Sequence, residues 1–217
     1  MSGLARRLGV AARVLPLLLL SAATVHAQGT PVQVRGVALA GSTTFASGKS
    51  FDAVLGSSSG GIVGGGGQVL LPRGIYVEVV AWRFAADGER VFIGANNEVF
   101  RLGIPVSVTV TPVELTAGWR FAGRGGRIVP YVGGGWSSYR YTETSQFAEP
   151  DEEVQARHGG VHVVGGAEVQ VLRWLSVGGE AAWSRVPNAL GDAGVAAAFG
   201  EDNLGGTSVR VKITIGG

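Results

Sequence analysis

The chain has no cysteine among its 217 residues, and downstream of its N-terminus it has no apolar run long enough for a membrane-spanning helix. The first absence excludes a disulfide framework and a lipid-anchored N-terminal cysteine. The second means that a membrane location would require β-structure. No metal-ligand spacing, nucleotide motif or cofactor signature stands out, so we expect no cofactor and no metal site.

The first 27 residues have the composition of a secretory signal peptide. Arg6, Arg7 and Arg13 form a basic segment, an apolar segment follows at 14–20, and residues 25–27 (Val-His-Ala) form a small-x-small cleavage site. The apolar segment is too short to cross a bilayer as a helix. We therefore predict a cleaved leader at 1–27 and one mature domain at 28–217.

Removing the leader changes the charge balance. The chain has 18 Lys and Arg against 16 Asp and Glu, and the leader contains three of the arginines and none of the acids. The remaining domain is therefore close to neutral. It has no basic patch that would indicate nucleic acid as a partner.

The last segment shows the pattern on which the fold prediction depends. Between Ser208 and Ile215, apolar and polar residues alternate strictly. Because successive side chains of a strand point to opposite faces, this strand has one apolar and one charged face. The same period of two recurs upstream, and a closed barrel leaves no strand edge unpaired. We predict eight strands, at 32–45, 60–71, 75–84, 106–121, 128–141, 159–172, 175–186 and 206–215.

The connections between these strands alternate in length. Long connections at 46–59, 85–105, 142–158 and 188–203 alternate with short turns at 72–74, 123–127 and 173–174. Short periplasmic turns and long external loops are typical of outer-membrane barrels. We expect segment 85–105, which has its own hairpin signal, to extend the barrel wall, and residues 194–199 to form a short helix. The run Gly64–Gly67 is followed by no Lys-Ser/Thr, so we read it as strand and not as a phosphate-binding loop.

Two expectations concern which side chains face the lumen. Because the apolar residues of the fourth strand change parity around Pro112, we expect a β-bulge there. For the fifth strand, the sequence does not indicate which residues face the lumen and which face outward. Charges on the polar faces are expected to pair inside a narrow barrel; they are Arg35, Glu78, Glu114, Arg120, Glu168, Glu180, Arg210 and Lys212, four of each sign. Aromatic residues near strand ends are expected to form two membrane-interface girdles; the main candidates are Trp82, Trp119, Tyr131, Trp174 and Trp183, with Phe84 and Tyr139 beside them.

With these features the chain resembles the small eight-stranded outer-membrane β-barrels of Gram-negative bacteria, the OmpA-like and opacity-type barrel domain. The residues that carry the resemblance are 130–135 (Pro-Tyr-Val-Gly-Gly-Gly), the alternating loop lengths and the final strand from Gly206. The resemblance implies an antiparallel up-and-down transmembrane barrel. It also implies outer-membrane lipids and lipopolysaccharide as surroundings, insertion by the barrel assembly machinery, a monomeric state and a non-enzymatic envelope role. One departure is the C-terminus, Ile215-Gly216-Gly217, which lacks the family's usual aromatic residue.

Four alternatives stay open at this point. A lipid-modifying enzyme would need His158, Ser137 or Ser138, and Glu143 to converge at the rim, with His162 as a lumen residue. A channel would need an open lumen, which eight strands scarcely leave. A soluble lipocalin-like carrier would have the apolar faces inside. For the acidic segment Asp151–Glu153 there are two interpretations: a site for cations or a basic partner, and a solvated charged loop.

Overall fold

The computed structural model describes residues 32–121, 127–145, 154–190 and 194–217. These residues form eight strands and two short helices. The strands, β1 to β8, are Gln33–Phe45, Ser59–Leu70, Ile75–Ile93, Val99–Arg120, Ile128–Ser145, Val154–Leu172, Leu175–Arg185 and Gly206–Gly216. Helix α1 is Gly48–Leu55 and helix α2 is Gly194–Phe199. In the described part of the chain, no helix is long and apolar enough to cross a membrane.

Every strand pairs antiparallel with its sequence neighbours, and β8 pairs with β1, which closes the barrel. This confirms the prediction of an all-β, eight-stranded, up-and-down antiparallel barrel. Following the paired residues once around from Arg35, through Gln68 and Glu78, returns to β1 at Phe45. This offset means that the strands are tilted against the barrel axis, as closure requires.

The two ends of the barrel differ. At the turn end lie the 3₁₀ turn Pro72–Gly74, the turn at 173–174 and the two ends of the described chain. Arg73 and Gly74 have φ angles of 67° and 84°, which make this turn tight. At the loop end lie α1, the tip of the β3–β4 hairpin and α2. The predicted short turn 123–127 falls mostly on residues outside the described ranges, as do the leader and the acidic segment Asp151–Glu153.

Several strands are longer than predicted. β3 runs to Ile93 and β4 begins at Val99, so the predicted hairpin is the continuous upper part of these two strands. β5 and β6 likewise extend beyond the predicted ends at 141 and 159. Backbone pairing needs no apolar face. The ladder therefore continues beyond the point where the alternation of apolar and polar residues, on which the prediction relied, breaks down.

The predicted bulge at Pro112 was wrong. Pro112 pairs with Tyr139 in an unshifted register, and on the other side the register is the same at Val113 and at Val110. The β3–β4 pair shifts instead between Glu89 and Val91. The parity of the apolar residues changes because the interior itself changes from polar to apolar along β4, while the facing of the strand stays constant.

Candidate functional site: the barrel interior and the outer wall

At the turn end of the lumen, two arginines share one carboxylate. Arg35 donates to Glu168 at 3.0 Å and to the Ser176 hydroxyl at 2.8 Å. Arg120 pairs with the same Glu168. All three charged side chains come from the turn-side ends of β1, β4 and β6, which closure of the barrel brings together.

The middle of the lumen contains a second group of charges. Lys212 donates to Glu78 at 2.9 Å and to Glu180 at 2.8 Å. Gln68 joins this group to the first, because it accepts from Arg35 at 3.4 Å and donates to Glu78 at 2.8 Å. Through these contacts, a single hydrogen-bonded network joins side chains from seven of the eight strands.

Above it, Arg210 pairs with Glu114 through both guanidinium NH groups, at 2.7 and 2.8 Å, and reaches Glu180 at 3.4 Å. The indole NH of Trp82 donates to the same Glu114 at 2.8 Å. The guanidinium also lies over the Trp82 ring, 5.5 Å from its centroid. The structure thus brings all eight sequence-selected charges into one network, four of each sign; we call it the lumen charge network.

Two of the proposed interface aromatics belong to this network and do not face outward. Trp82 is 3% exposed and Tyr131 is 5% exposed, so the expectation that they form part of a girdle is corrected. Tyr131 donates to Glu180 at 3.1 Å, and Lys212 lies 4.8 Å from its ring centroid. An aromatic ring with a polar NH or OH can stack on a cation and donate to a carboxylate at once, which makes it suitable inside a charged lumen.

Glycines leave room for these rings. A Cβ atom at Gly166 would lie 2.7 Å from the Tyr131 hydroxyl, and one at Gly118 would lie 2.6 Å from the Tyr76 ring. These two glycines thus have a packing reason inside the lumen.

Towards the loop end the interior is apolar. Phe45 stacks on Phe51 at a centroid distance of 4.2 Å, and Phe84 packs edge-on against both rings at 4.9 and 6.4 Å. The remaining members of this cluster, which we call the apolar plug, are Val37, Leu39, Ile62, Val80, Trp82, Val108, Val110, Tyr139, Val186, Ala189 and Leu204. Phe84 and Tyr139 were expected near the girdles and instead lie here. The plug fills the lumen above the charges.

Helix α1 contributes Phe51 to the plug and is held by the β7–β8 connection. The Glu201 carboxylate accepts hydrogen bonds from the backbone NH groups of Lys49 and Ser50, at 3.1 and 2.8 Å, and from the Ser50 hydroxyl at 2.7 Å. Ser47 is the N-cap residue, but its hydroxyl makes no hydrogen bond to the first turn of the helix and donates to the Asn203 carbonyl instead. A carboxylate from a distant loop therefore replaces the usual local helix cap.

The outer wall is apolar over most of its height. Trp119, Trp174 and Trp183 are exposed there, and so is Trp136 at 72%, which sequence reasoning did not select because the facing of β5 was ambiguous. Val132 on β5 also faces outward, and Tyr131 and Ser137 face inward. Other large exposed apolar residues of the wall include Val63, Ile75, Val79, Val113, Leu115, Ile128, Val161, Val163, Val169, Val171, Val177, Val209, Val211, Ile213 and Ile215.

Among the described residues, no hydrogen bond connects the side chains considered for an enzyme, which are His158, Ser137, Ser138 and Glu143. Ser137 lies in the lumen and contacts the Nδ1 atom of His162 at 3.3 Å, while Thr116 contacts its Nε2 atom at 2.8 Å. Ser138 lies on the opposite, exposed face of β5. The buried Nε2 atom of His158 has no hydrogen-bond partner among the described residues. Within those residues, no group of three His, Asp or Glu side chains is arranged to hold a metal ion.

Comparisons with known proteins show the fold. No family model and no curated protein matches the chain. Neisserial surface protein A, NspA, aligns with a TM-score of 0.55 at 11% identity, over 85% of this chain and 96% of that one. A major outer membrane protein from Thermus thermophilus aligns with a TM-score of 0.50 at 12% identity, over 85% and 99%. The chain therefore has the fold of small outer-membrane β-barrels.

Proposed function

We propose that this chain is an integral outer-membrane β-barrel of the bacterial envelope, exported by its leader and without enzymatic activity. The observation that carries the proposal is the inverted polarity of the wall. Val209, Val211, Ile213 and Ile215 face outward and are exposed, while Arg210 and Lys212 between them are buried in the lumen. A soluble lipocalin-like carrier would need the opposite arrangement.

The height of the apolar wall supports this location. On β7 it runs from Leu175 to Trp183, and Arg185 follows on the same face. A tilted strand of about 9–11 residues crosses the hydrocarbon core. The tryptophans near its two borders, Trp174 and Trp183, suit the membrane–water interfaces. In this orientation the turn end is periplasmic and the loop end is external.

The two solved barrels with the same fold add context, since one is a surface protein and the other a major outer membrane protein. We expect insertion by the barrel assembly machinery, contact with outer-membrane lipids and lipopolysaccharide, and a monomeric barrel. The external loops would then form the surface that the cell presents.

Heat-dependent gel mobility tests the proposal. The mature chain, folded in detergent micelles, should migrate differently in SDS with and without boiling, because small membrane barrels resist SDS until heated. A chain that is monodisperse without detergent and shows no mobility shift would contradict an outer-membrane location.

A matched pair of variants sharpens this test. Val211→Arg puts a charge in the middle of the apolar wall and should destabilise the folded barrel in vesicles by about 2–4 kcal/mol. Thr144→Arg adds the same charge to an exposed position beyond the wall and should fold like the wild type. Equal folding of both variants would contradict a lipid-facing wall.

The apolar plug also predicts electrical behaviour. In the part of the chain that the structure describes, buried apolar side chains pack together in the lumen above the lumen charge network, and an apolar constriction opposes the passage of ions. Planar-bilayer recordings should therefore show no large, stable conductance. Such a conductance in the wild type would contradict a filled lumen.

A further inference from the structure

Two arginines face each other on the outer wall, close to its border at the loop end. Arg140 of β5 pairs directly with Arg157 of β6, and both are exposed. Their position in the register puts the Cβ atoms of such a pair about 5 Å apart, and like charges so placed destabilise a sheet. In the described part of the chain, no carboxylate forms an ion pair with either guanidinium.

On the turn-end side of the two arginines, small residues leave a shallow depression in the outer wall. The next outward pair is Ser138 and Gly159, and a Cβ atom at Gly159 would have no neighbour within 4 Å. Below it the apolar wall begins with Trp136, which pairs with Val161. From the loop end downward, the order is therefore two cations, a shallow depression and an apolar surface that includes an indole.

This order matches the order of groups in a phosphorylated lipid. We propose that Arg140 and Arg157 bind the phosphate of an anionic outer-leaflet lipid, whose glycerol or sugar backbone lies over Gly159 and whose acyl chain lies along Trp136 and Val161. Guanidinium groups bind phosphate through paired NH donors, and an anion between them converts the repulsion of the two arginines into attraction. Arg185 on β7 follows Trp183 on the same outward face and adds positive charge to this side of the wall.

The inference rests on the proposed membrane location, and the experiment separates the two. The mature barrel is folded into vesicles of brominated phosphatidylcholine, with and without phosphatidic acid. Displacement of the quencher is read from tryptophan fluorescence, and a Trp136→Phe variant identifies the signal of that indole. A wild-type barrel that fails to insert into either vesicle contradicts the proposed function. A barrel that inserts and shows no preference for phosphatidic acid at Trp136 overturns the lipid site alone.

Variants test the assignment to these residues. In R140Q/R157Q the preference for phosphatidic acid should fall by about thirtyfold, since each of the two basic residues near an anionic surface contributes about 1 kcal/mol. R140K/R157K should keep part of the preference. The matched control is R90Q/R101Q, which removes two exposed positive charges from the β3–β4 hairpin and should leave the preference unchanged. An equal loss in the control would overturn the site, because general charge would then explain the selectivity.

Two further arms complete the test. Gly159→Phe fills the depression without altering charge and should lower the preference, while an unchanged preference would overturn the placement of the lipid backbone. Inorganic phosphate added to the vesicles should not displace phosphatidic acid from Trp136. Displacement by free phosphate would overturn the assignment to a lipid. The gel mobility shift of each variant, with and without boiling, verifies that the barrel is folded.

Discussion

The turn-side and loop-side halves of this barrel use the same strands in opposite ways. In the turn-side half, the interior is charged and the outer wall is apolar. In the loop-side half, the interior is the apolar plug and the outer face bears Arg140, Thr144 and Arg157. β4 shows the change on one strand, since the inward positions Glu114 and Thr116 are polar, and the inward positions Val108 and Val110 are apolar.

This difference agrees with the proposed membrane location, in which the medium around each half of the barrel determines which face is apolar. A strand in hydrocarbon exposes apolar side chains and must satisfy its charges inside. A strand that continues into water follows the usual rule of soluble proteins, with an apolar core. The change in polarity along one unbroken strand is what a barrel extending from a membrane into water requires, and it needs no bulge.

The largest effect is expected in the charged half. Glu180 is shared by Arg210 and Lys212, so Glu180→Gln leaves two buried cations with one acceptor fewer. Removal of one partner from a buried ion pair costs about 3–5 kcal/mol. Urea unfolding in lipid vesicles, monitored by tryptophan fluorescence, would measure the loss. A loss no larger than that of an exposed ion pair would contradict the role of the network.

The apolar half should respond to a cavity. Phe84→Ala removes a ring that is 4.9 Å from Phe45 and 6.4 Å from Phe51, centroid to centroid. Truncation of a buried phenylalanine costs about 3–5 kcal/mol, and we expect about 2–4 here because α1 can settle into the space. The same unfolding assay applies. Phe100→Ala, on the exposed hairpin, is the control and should change stability little.

A smaller and local effect is expected at helix α1, which contributes Phe51 to the apolar plug. Glu201→Gln weakens the cap on α1, which should cost about 1–2 kcal/mol of local stability. Amide hydrogen exchange at Lys49 and Ser50 should become faster, while the global unfolding free energy stays nearly constant. Asp202→Asn is the neighbouring control, because only its backbone oxygen is used in the contacts described. Equal exchange in both variants would contradict the cap.

The smallest effect is expected on the exposed hairpin. Arg101 and Glu89 form an ion pair at 3.6 Å, with both side chains substantially exposed to solvent. Arg101→Gln should change the unfolding free energy by less than about 0.5 kcal/mol, because exposed pairs are screened. A loss comparable to that of Glu180→Gln would remove the contrast between buried and exposed pairs.

Much of the fold was predictable because its signal is local. The period of two in segments such as 206–215 fixes which side chains share a face, and a charge cannot lie on the same face as exposed valines in hydrocarbon. The turn at Pro72–Gly74 and the alternation of short and long connections then give the order of the strands. The ends of β3, β4, β5 and β6 were less predictable, because backbone pairing continues where the apolar alternation stops.

The facing of Trp82 and Tyr131 was not predictable from local pattern. Each ring has an apolar body and a polar NH or OH, so it suits a membrane interface and a charged lumen equally well. The apparent change of register at Pro112 had the same origin, since a single strand cannot reveal what lies across the barrel from it.

The sequence by itself determined the number of strands, their antiparallel order and the inward direction of the charges, because these follow from alternation and connection length. Only the tertiary structure decided the partners. Closure with an offset from Arg35 to Phe45 brings Glu168 next to Arg35 and Glu114 next to Arg210. These pairs depend on the stagger of strands that are distant in sequence, and no local pattern of residues contains that stagger.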